Sequence, residues 1–259
     1  MSLEKTEAIV LKAFNWSESS RTVVFFSLDF GRIALIDKGG RSMKSKRGRL
    51  IRFARLETTF YLSEKESRGY IRELEPIEAY SLEGEGGLGR LAYASAACEL
   101  LQNLLPEEEP QRALYNYFVS FLRQIEAVDK RYLASLFLGF YLRLLSQLGY
   151  HPSLAWCASC GKSIEEMGSE PIRYFSPERG GLICRTCQMP GDYYISLSDE
   201  SYRFLLSLQT ASLAEAAAKT ISFKEATGLM DALTKFVAHQ TGLKAELKSL
   251  EFIEKLKNS

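Results

Sequence analysis

Short apolar runs rich in branched and aromatic residues open the chain and predict β-strands. Five of them fall within the first 80 residues, and turn signals such as Asp29-Phe30-Gly31 separate neighbours. Five short strands at this spacing favour a small closed barrel, because closure leaves no unpaired strand edge. The five-stranded oligonucleotide-binding (OB) barrel is therefore the predicted fold of this region. The runs are Ala8–Phe14, Arg21–Leu28, Arg32–Asp37, Leu56–Leu62 and Tyr70–Leu74.

From about residue 88 the apolar positions recur every three or four residues, which predicts helices. Pro106 ends the first predicted helix, Pro110 can open the second, and Gly149 ends the third. The apolar faces are large and aromatic, so we expect the three helices to pack as a bundle. The predicted buried residues are Leu91, Ala94, Cys98, Leu101, Leu105, Leu114, Tyr117, Phe118, Phe121, Leu122, Ile125, Leu133, Leu136, Phe137, Phe140, Leu144, Leu145 and Leu148.

Helical signals resume near residue 198. Ser198 is a candidate cap for a helix whose first turn carries Asp199 and Glu200, and two Ser-x-x-Glu capping boxes follow at 212–215 and 222–225. Gly242 is predicted to end the last of these helices. The predicted buried face of that helix consists of Ala226, Leu229, Met230, Leu233, Phe236 and Val237.

Two Cys-x-x-Cys pairs interrupt the helical region. Cys157 and Cys160 form the first pair, Cys184 and Cys187 form the second, and 23 residues separate them. Each pair can hold one side of a tetrahedral ion, and thiolates at this spacing favour zinc. Four sulfurs leave no position for an activated water, so one zinc ion with a structural role is expected.

Disulfides, unrelated free thiols and a redox pair are the alternatives for these cysteines. The sequence shows no secretory signal before the first predicted strand, and intracellular proteins rarely keep disulfides. Two redox pairs in one hairpin-sized insert would be an unusual arrangement. The fifth cysteine, Cys98, belongs to an apolar helix face and is expected in the core.

Helical patterns flank the cysteine pairs on both sides, so the metal module is predicted to be an insertion in one helical domain. The predicted fold class is multidomain α+β: an N-terminal five-stranded OB-type β-barrel, then an α-helical domain with an inserted four-cysteine zinc module. The expected bounds are 1–80 for the barrel, 81–152 for the first helical part, 153–195 for the zinc-ribbon-like insertion and 196–259 for the C-terminal helical part.

The stretch between the third and fourth predicted strands is strongly basic. It holds eight basic residues and no acidic one, whereas the whole chain has 33 Lys+Arg against 32 Asp+Glu. Such a cluster repels itself and attracts a polyanion, most often the phosphates of a nucleic acid. A solvated charge run that only aids solubility is the alternative. The candidate DNA-binding residues are Lys38, Arg41, Lys44, Lys46, Arg47, Arg49, Arg52 and Arg55.

Residues 84–89 match the Gly-x-Gly-x-x-Gly pattern of dinucleotide sites and precede a predicted helix. That pattern needs a parallel return strand, whereas further helices follow here, and Glu83 and Glu85 would repel a pyrophosphate. A flexible linker is the favoured interpretation, and a dinucleotide-dependent enzyme is the weakest alternative.

Signals for other chemistry are absent from the sequence. The two histidines, His151 and His239, lie at predicted helix ends, and there is no phosphate loop, His-Glu-x-x-His pattern or Ser/His/Asp arrangement. No apolar run approaches the ~18 residues of a membrane span. We therefore expect a protein that is not an enzyme and has no membrane segment.

Several stretches, taken in order, resemble the bacterial DNA repair and recombination mediator family RecO. The resemblance covers nearly the whole chain, and Gly242–Leu250 is similar to the C-terminal pattern of that family. The other stretches are Asp37-Lys-Gly-Gly-Arg41 with its basic sequel, Leu142–Pro152, Cys157-Ala-Ser-Cys-Gly161 and Phe175–Cys184.

The resemblance implies an OB domain, a helical domain and a cysteine-rich module that holds zinc in some members. Other members lack the cysteines, which supports a structural role for the metal. The resemblance also implies binding of single- and double-stranded DNA, annealing of complementary strands, and recombinase loading together with the partner protein RecR and single-stranded-DNA-binding protein (SSB). It implies a cytoplasmic, nucleoid-associated protein. The competing class is a zinc-ribbon module of transcription or translation that binds RNA or protein.

An acidic tail that ends in apolar residues, as SSB carries, needs an apolar pocket with nearby cations. The helical region offers a dense apolar surface and scattered basic residues such as Arg123, Arg131 and Arg143. We therefore expect the SSB tail to bind the helical domain rather than the barrel.

Overall fold

The computed structural model of the chain describes residues 2–15, 17–40, 50–62, 69–168, 171–243 and 247–257. The strands are β1 Ser2–Asn15, β2 Arg21–Ser27, β3 Gly31–Asp37, β4 Ala54–Leu62, β5 Gly69–Ala79, β6 Ile172–Ser176, β7 Gly181–Ile183 and β8 Ile195–Ser198. The helices are α1 Gly87–Leu104, α2 Arg112–Ala127, α3 Leu133–Gln147, α4 Asp199–Gln209, α5 Leu213–Ala216, α6 Phe223–Thr241 and α7 Lys248–Lys257.

The first five strands form a closed barrel in the order β1-β2-β3-β5-β4. Neighbours are antiparallel except β3 and β5, which run parallel. The long strand β1 pairs with β4 through residues 2–9 and with β2 through residues 8–15, and in this way it closes the ring. The predicted five-stranded barrel is confirmed. β1 begins at Ser2 rather than Ala8, because the mostly polar residues 2–7 also pair with β4.

One apolar cluster fills the inside of the barrel. Along β4 buried residues alternate with half-buried polar ones, as the period of two in a strand requires. Every one of the five strands contributes to this cluster, so the core depends on all five strands being in the barrel. Its buried members are Ala8, Val10, Val23, Phe25, Ile33, Leu35, Ala54, Leu56, Phe60, Ile71 and Leu74.

Internal contacts divide the chain into two compact units, residues 1–127 with 247–259 and residues 128–246. In the first unit, Arg123 of α2 donates two hydrogen bonds of 2.8 and 2.7 Å to the Glu78 carboxylate of β5. In the same unit Ser249 of α7 donates to Glu99 of α1 at 2.8 Å. The second unit contains α3 to α6 and a small sheet of order β7-β6-β8. The division into four parts at 80, 152 and 195 stays a prediction.

Helix ends follow the local signals of the sequence. Ser198, Ser212 and Ser222 each accept a hydrogen bond from the backbone N–H three residues ahead, so all three predicted caps are confirmed. Gly149 and Gly242 have φ angles of 85° and 69°, the left-handed conformation that glycine adopts most easily.

The predicted helix faces need three corrections. Leu91 of α1 is 42% exposed instead of buried, because alanine and leucine occur on all sides of α1 and the pattern does not select one face. Tyr117 and Leu148 are only half-buried, and Leu148 lies just beyond the last residue of α3. α2 begins at Arg112, so Pro110 precedes the helix by two residues instead of opening it.

Candidate metal centre and nucleic-acid interface

Four cysteine sulfurs of the second unit lie close enough to share one metal ion. The Sγ atoms of Cys157, Cys160, Cys184 and Cys187 all lie within 4.8 Å of one another. A tetrahedral shell with zinc–sulfur bonds of about 2.3 Å needs sulfurs about 3.8 Å apart. The Sγ atoms of Cys160 and Cys184 are 3.7 Å apart, so the four thiols fit a shared metal ion. Cys157 and Cys184 are buried, whereas Cys160 is exposed.

The first cysteine pair lies on a tight turn that Gly161 completes. Gly161 has a φ angle of 73°, and its N–H donates to the Cys157 carbonyl at 2.9 Å. The Ala158 N–H donates to the Leu182 carbonyl of β7 at 2.8 Å. These bonds fix the first pair against the strand that leads directly to the second pair.

The second pair follows β7 without a spacer. Cys187 ends a short 3-10 turn in which its N–H donates to the Cys184 carbonyl at 3.0 Å. The Cys184 N–H donates to the Cys157 sulfur at 3.4 Å, and the Thr186 hydroxyl lies 3.1 Å from the Cys184 sulfur. Donors aimed at sulfur stabilise the thiolate form that a metal requires.

The thiols differ in how easily they ionise. Burial alone raises the pKa of Cys184, but hydrogen bonds from Thr186 and from the neighbouring thiols outweigh burial and lower this pKa to about 6. Burial likewise opposes backbone N–H donors at Cys157, and the donors hold its pKa below the usual range. Hydrogen bonds with Cys184 and Cys160 raise the pKa of Cys187 to about 12. Cys157 and Cys184 therefore ionise more readily than Cys187.

Gly180 and Gly181 shape the hairpin that carries the second pair. Gly180 turns the chain with a φ angle of 80°. A side chain at Gly181 would collide with the backbone of Ser153, which pairs there through Ser153 N–H to Gly180 O at 2.9 Å and Leu182 N–H to Ser153 O at 2.8 Å. Sequence reasoning noted the Phe175–Cys184 stretch but missed this close approach, for which the adjacent glycines were the signal.

In the barrel, the turn that precedes the basic segment is built around a buried carboxylate. The side chain of Asp37 is 3% exposed and accepts a 2.9 Å hydrogen bond from Arg21 Nε. A side chain at Gly40 would collide with this carboxylate, and Gly39 has a φ angle of 70°. Both glycines of the Asp37–Gly40 turn are therefore required by geometry, which sequence reasoning did not anticipate.

The candidate DNA-binding residues fall into two groups. Arg41, Lys44, Lys46, Arg47 and Arg49 lie outside the described residues. Lys38 is exposed directly after β3, and its Nζ lies 4.3 Å from the centre of the Tyr70 ring.

The two remaining candidates have protein partners. The Arg52 guanidinium lies 4.9 Å from the Phe53 ring centre and 3.5 Å from the Ser95 hydroxyl. Arg55 Nε lies 3.6 Å from a Glu7 carboxylate oxygen in the neighbouring strand β1. All eight assignments stay predictions.

The other sequence signals lie in surface positions. Gly84 and Gly86 have positive φ angles ahead of α1, as a linker allows, and the next strand along the described chain is β6. His151 and His239 are both exposed. In the part of the chain that is described, no helix is long and apolar enough to cross a membrane.

The three arginines expected near an acidic tail are distributed over both units. Arg123 of the first unit pairs with Glu78 at 2.7 Å. Arg131 of the second unit pairs with Asp129 at 3.1 Å, and Arg143 on α3 is exposed. Arg123 and Arg131 are thus already held by carboxylates of the chain.

Comparison with known proteins covers nearly the entire chain. The family described as Recombination protein O N terminal matches residues 1–80, and the family described as Recombination protein O C terminal matches residues 86–251. The DNA repair protein RecO of Pelobacter propionicus is 31% identical over 262 aligned residues, which cover 98% of each chain. The DNA repair protein RecO of Symbiobacterium thermophilum is 29% identical over all of both chains. The chain therefore belongs to the recombination protein O family, RecO.

Proposed function

We propose that this chain is a non-enzymatic DNA repair and recombination mediator. It binds single- and double-stranded DNA, anneals complementary strands, and with RecR helps to load recombinase onto DNA covered by SSB. The observation that carries the proposal is the closed five-stranded barrel whose β3 leads into a stretch of eight basic residues, from Lys38 in the glycine turn to Arg55. Relatives along the full length of the chain bear the name DNA repair protein.

The DNA contacts are assigned to phosphates rather than to base edges. Lysine and arginine side chains on a glycine-flanked segment can follow successive phosphates without reading sequence. Among the described cations, Lys38 is exposed at the start of the basic stretch, and Arg55 lies beside Glu7 of the neighbouring strand. Binding should therefore tolerate any sequence.

Annealing follows from the same charges. Two complementary strands repel each other through their phosphates, and a protein that neutralises phosphates on both lowers that repulsion. No bond is made or broken, so the chain needs no catalytic residue and no nucleotide. Phosphate contacts weaken as the salt concentration rises, so the annealed duplex can be released.

The four cysteines are assigned to one structural zinc ion. When bound, zinc supplies a cross-link between the two Cys-x-x-Cys pairs. The residues of the chain do the rest: Gly161 forms the first turn, Thr186 and the Cys184 N–H support the thiolates, and Gly181 lets the Ser153 segment pair with the hairpin. No cysteine is left over for redox chemistry, because Cys98 is buried in α1.

The protein partners are proposed from the family and from surface chemistry. SSB is expected to place its acidic tail on the helical region, where Arg143 is exposed, and RecR is the expected partner in recombinase loading. Binding measurements of purified RecR and of an SSB tail peptide to the full chain test both assignments. A cytoplasmic, nucleoid-associated location is part of the same proposal.

The deciding experiment neutralises the centre of the basic segment. Replacing Lys44, Lys46, Arg47 and Arg49 together by Ala should weaken single-strand binding by about 10- to 100-fold at moderate salt and abolish most annealing. The unmodified protein should show a slope of log K against log salt near −3 to −4, since it neutralises about four to six single-strand phosphates. The variant slope should be flatter, for every DNA sequence alike.

A control variant removes the same charge elsewhere. Lys130, Lys162, Arg185 and Lys224 are exposed residues of the second unit, and their joint replacement by Ala should leave affinity and slope nearly unchanged. Equal losses in both variants would show a general charge effect and contradict this DNA site. Failure of the unmodified protein to anneal DNA, with tight binding to RNA or protein instead, would favour the interaction-module class.

A further inference from the structure

Four residues on the outer surface of the barrel form one continuous row across four strands. Register pairs join Ile36 of β3 to Tyr70 of β5, Tyr70 to Tyr61 of β4, and Tyr61 to Leu3 of β1. Each of the four lies one residue inside the end of its strand. We call Ile36, Tyr70, Tyr61 and Leu3 the tyrosine row.

The tyrosine row faces outward, because its sequence neighbours face inward. Leu35, Phe60 and Ile71, which adjoin row members along their strands, belong to the barrel core. Tyr61 remains 37% exposed and Leu3 49% exposed, while Ile36 and Tyr70 are half-buried. Two aromatic rings side by side on a solvent-facing sheet are costly to leave bare, so the row is a candidate contact surface.

Charge indicates what kind of ligand covers this surface. The Lys38 Nζ lies 4.3 Å from the centre of the Tyr70 ring, and Lys38 opens the basic stretch that runs to Arg55. The row has no acidic member. Two residues farther along the strands, the next set of outward-facing residues contains Thr59, which pairs with Lys5 and with Glu73. The first acidic side chain on this face of the strands is therefore outside the tyrosine row. Aromatic faces beside a cation fit a ligand with flat bases and a phosphate backbone.

At the end of β3 opposite Ile36, helical residues cover the outer face of β2 and β3 and leave less of it open to a ligand. There Phe26 of β2 packs edge-on against Tyr115 of α2, with ring centres 5.5 Å apart. Arg32 of β3 donates through Nε to the Leu105 carbonyl at 2.9 Å. Helical residues of the same unit thus occupy part of the surface on which OB barrels bind oligonucleotides. The Tyr61 and Tyr70 rings lie away from these contacts.

We propose that the tyrosine row is a stacking platform for unpaired bases of single-stranded DNA. Tyr61 and Tyr70 stand on adjacent strands about 4.8 Å apart, so two bases can stack on the pair, while Lys38 turns from the Tyr70 ring to a phosphate. The inference rests on the proposed DNA-binding function and deepens it. The basic segment meets the phosphates of any DNA, whereas the row distinguishes single strands from duplexes, whose bases face one another.

The test compares two matched tyrosine variants. Joint replacement Tyr61→Ala and Tyr70→Ala should weaken binding of a single strand by roughly 10- to 100-fold, since each lost stacking contact is worth about five-fold or more. Duplex affinity and the salt slope should stay as in the unmodified protein, because no phosphate contact is lost. A second variant, Tyr61→Phe with Tyr70→Phe, keeps both aromatic rings and should bind a single strand nearly as well as the unmodified protein. The control is Tyr193→Ala, since Tyr193 is 54% exposed and also has a lysine over its ring, Lys235 at 5.6 Å.

A second measurement uses the unmodified protein, so its result does not depend on whether the variants fold. A strand whose bases are replaced by abasic sites should bind far more weakly than the same strand with bases, and 2-aminopurine in the strand should lose fluorescence on binding. If the protein binds DNA but treats abasic and normal strands alike, the platform is refuted while the DNA-binding function stands. If it binds no DNA at all, the proposed function itself fails. Equal loss of duplex and single-strand binding in the Ala variant would show that the two tyrosines only stabilise the barrel, and it would contradict the stacking platform.

Discussion

The barrel and the cysteine module, whose strands are β6, β7 and β8, are both small β structures, yet they are stabilised in different ways. The barrel strands are 7 to 14 residues long, pair around a full circle and enclose one apolar cluster. The module strands are 5, 3 and 4 residues long and form an open sheet. An open sheet of that size buries too little apolar surface to be stable alone, so the module depends on its four cysteines and on packing within its unit.

Both regions nevertheless depend on a glycine at a position where two parts of the chain come very close. A glycine lets one backbone segment approach another group more closely than a Cβ would permit, at Gly40 over Asp37 in the barrel and at Gly181 against Ser153 in the module. In the barrel the group approached is a buried charge, and in the module it is a backbone pairing. The comparison predicts which changes damage one region and spare the other.

The largest effect is expected from losing a metal ligand. Cys184→Ser should reduce the zinc content from one ion per chain to nearly none and unfold the module, a loss of more than about 4 kcal/mol for that region. Metal analysis and limited proteolysis around 153–195 measure this. Single-strand affinity of the barrel should change little, since the basic segment lies in the other unit.

Cys98→Ala is the matched control, because Cys98 is buried in α1 and is not a member of the cysteine cluster. Its zinc content should equal that of the unmodified protein. Freshly prepared, reduced protein without any bound metal would contradict the assignment of the four thiols.

A smaller effect is expected in the barrel from Asp37→Ala. Its partner Arg21 is only 17% exposed, so the change leaves a nearly buried cation and should lower the free energy of unfolding by about 3 kcal/mol. Thermal unfolding measures the loss, and zinc content should be unaffected. Glu57→Ala, which breaks the pair of Glu57 with the exposed Lys5, should cost far less than Asp37→Ala. Equal losses in the two variants would show that the Asp37 pair has no special role.

The smallest of the three effects is expected from Gly181→Ala, at about 2 kcal/mol, because the new Cβ displaces the Ser153 backbone. Gly228→Ala in α6 is the comparison, since no atom lies within 4 Å of an added Cβ there. It should raise stability by roughly 1 kcal/mol through helix propensity. Protease resistance of the module and thermal unfolding measure the effects of both variants. A Gly181→Ala variant as stable as the unmodified protein would contradict the close approach of Gly181 to Ser153.

Local patterns in the sequence were sufficient for the elements and for the thiol cluster. Short apolar runs between turn signals predicted the five barrel strands, serine caps predicted the starts of α4, α5 and α6, and the Cys-x-x-Cys spacing predicted the cluster of four cysteines. The pattern was insufficient at Leu91, because a helix with apolar residues on every side has no unique inward face. It was also insufficient at the barrel cations, since sequence does not show that Arg55 pairs with Glu7 on a neighbouring strand.

The sequence by itself determined the fold class, the four thiols of the cysteine cluster and the charge of the barrel segment, because each depends on residues near one another along the chain. Only the tertiary structure decided that Ile36, Tyr70, Tyr61 and Leu3 form one row and that Gly40 must make room for Asp37. Those relations depend on strand register and on backbone approach. The register is fixed when the barrel closes around its apolar core, and a one-residue slip would turn every side chain of a strand to the other face.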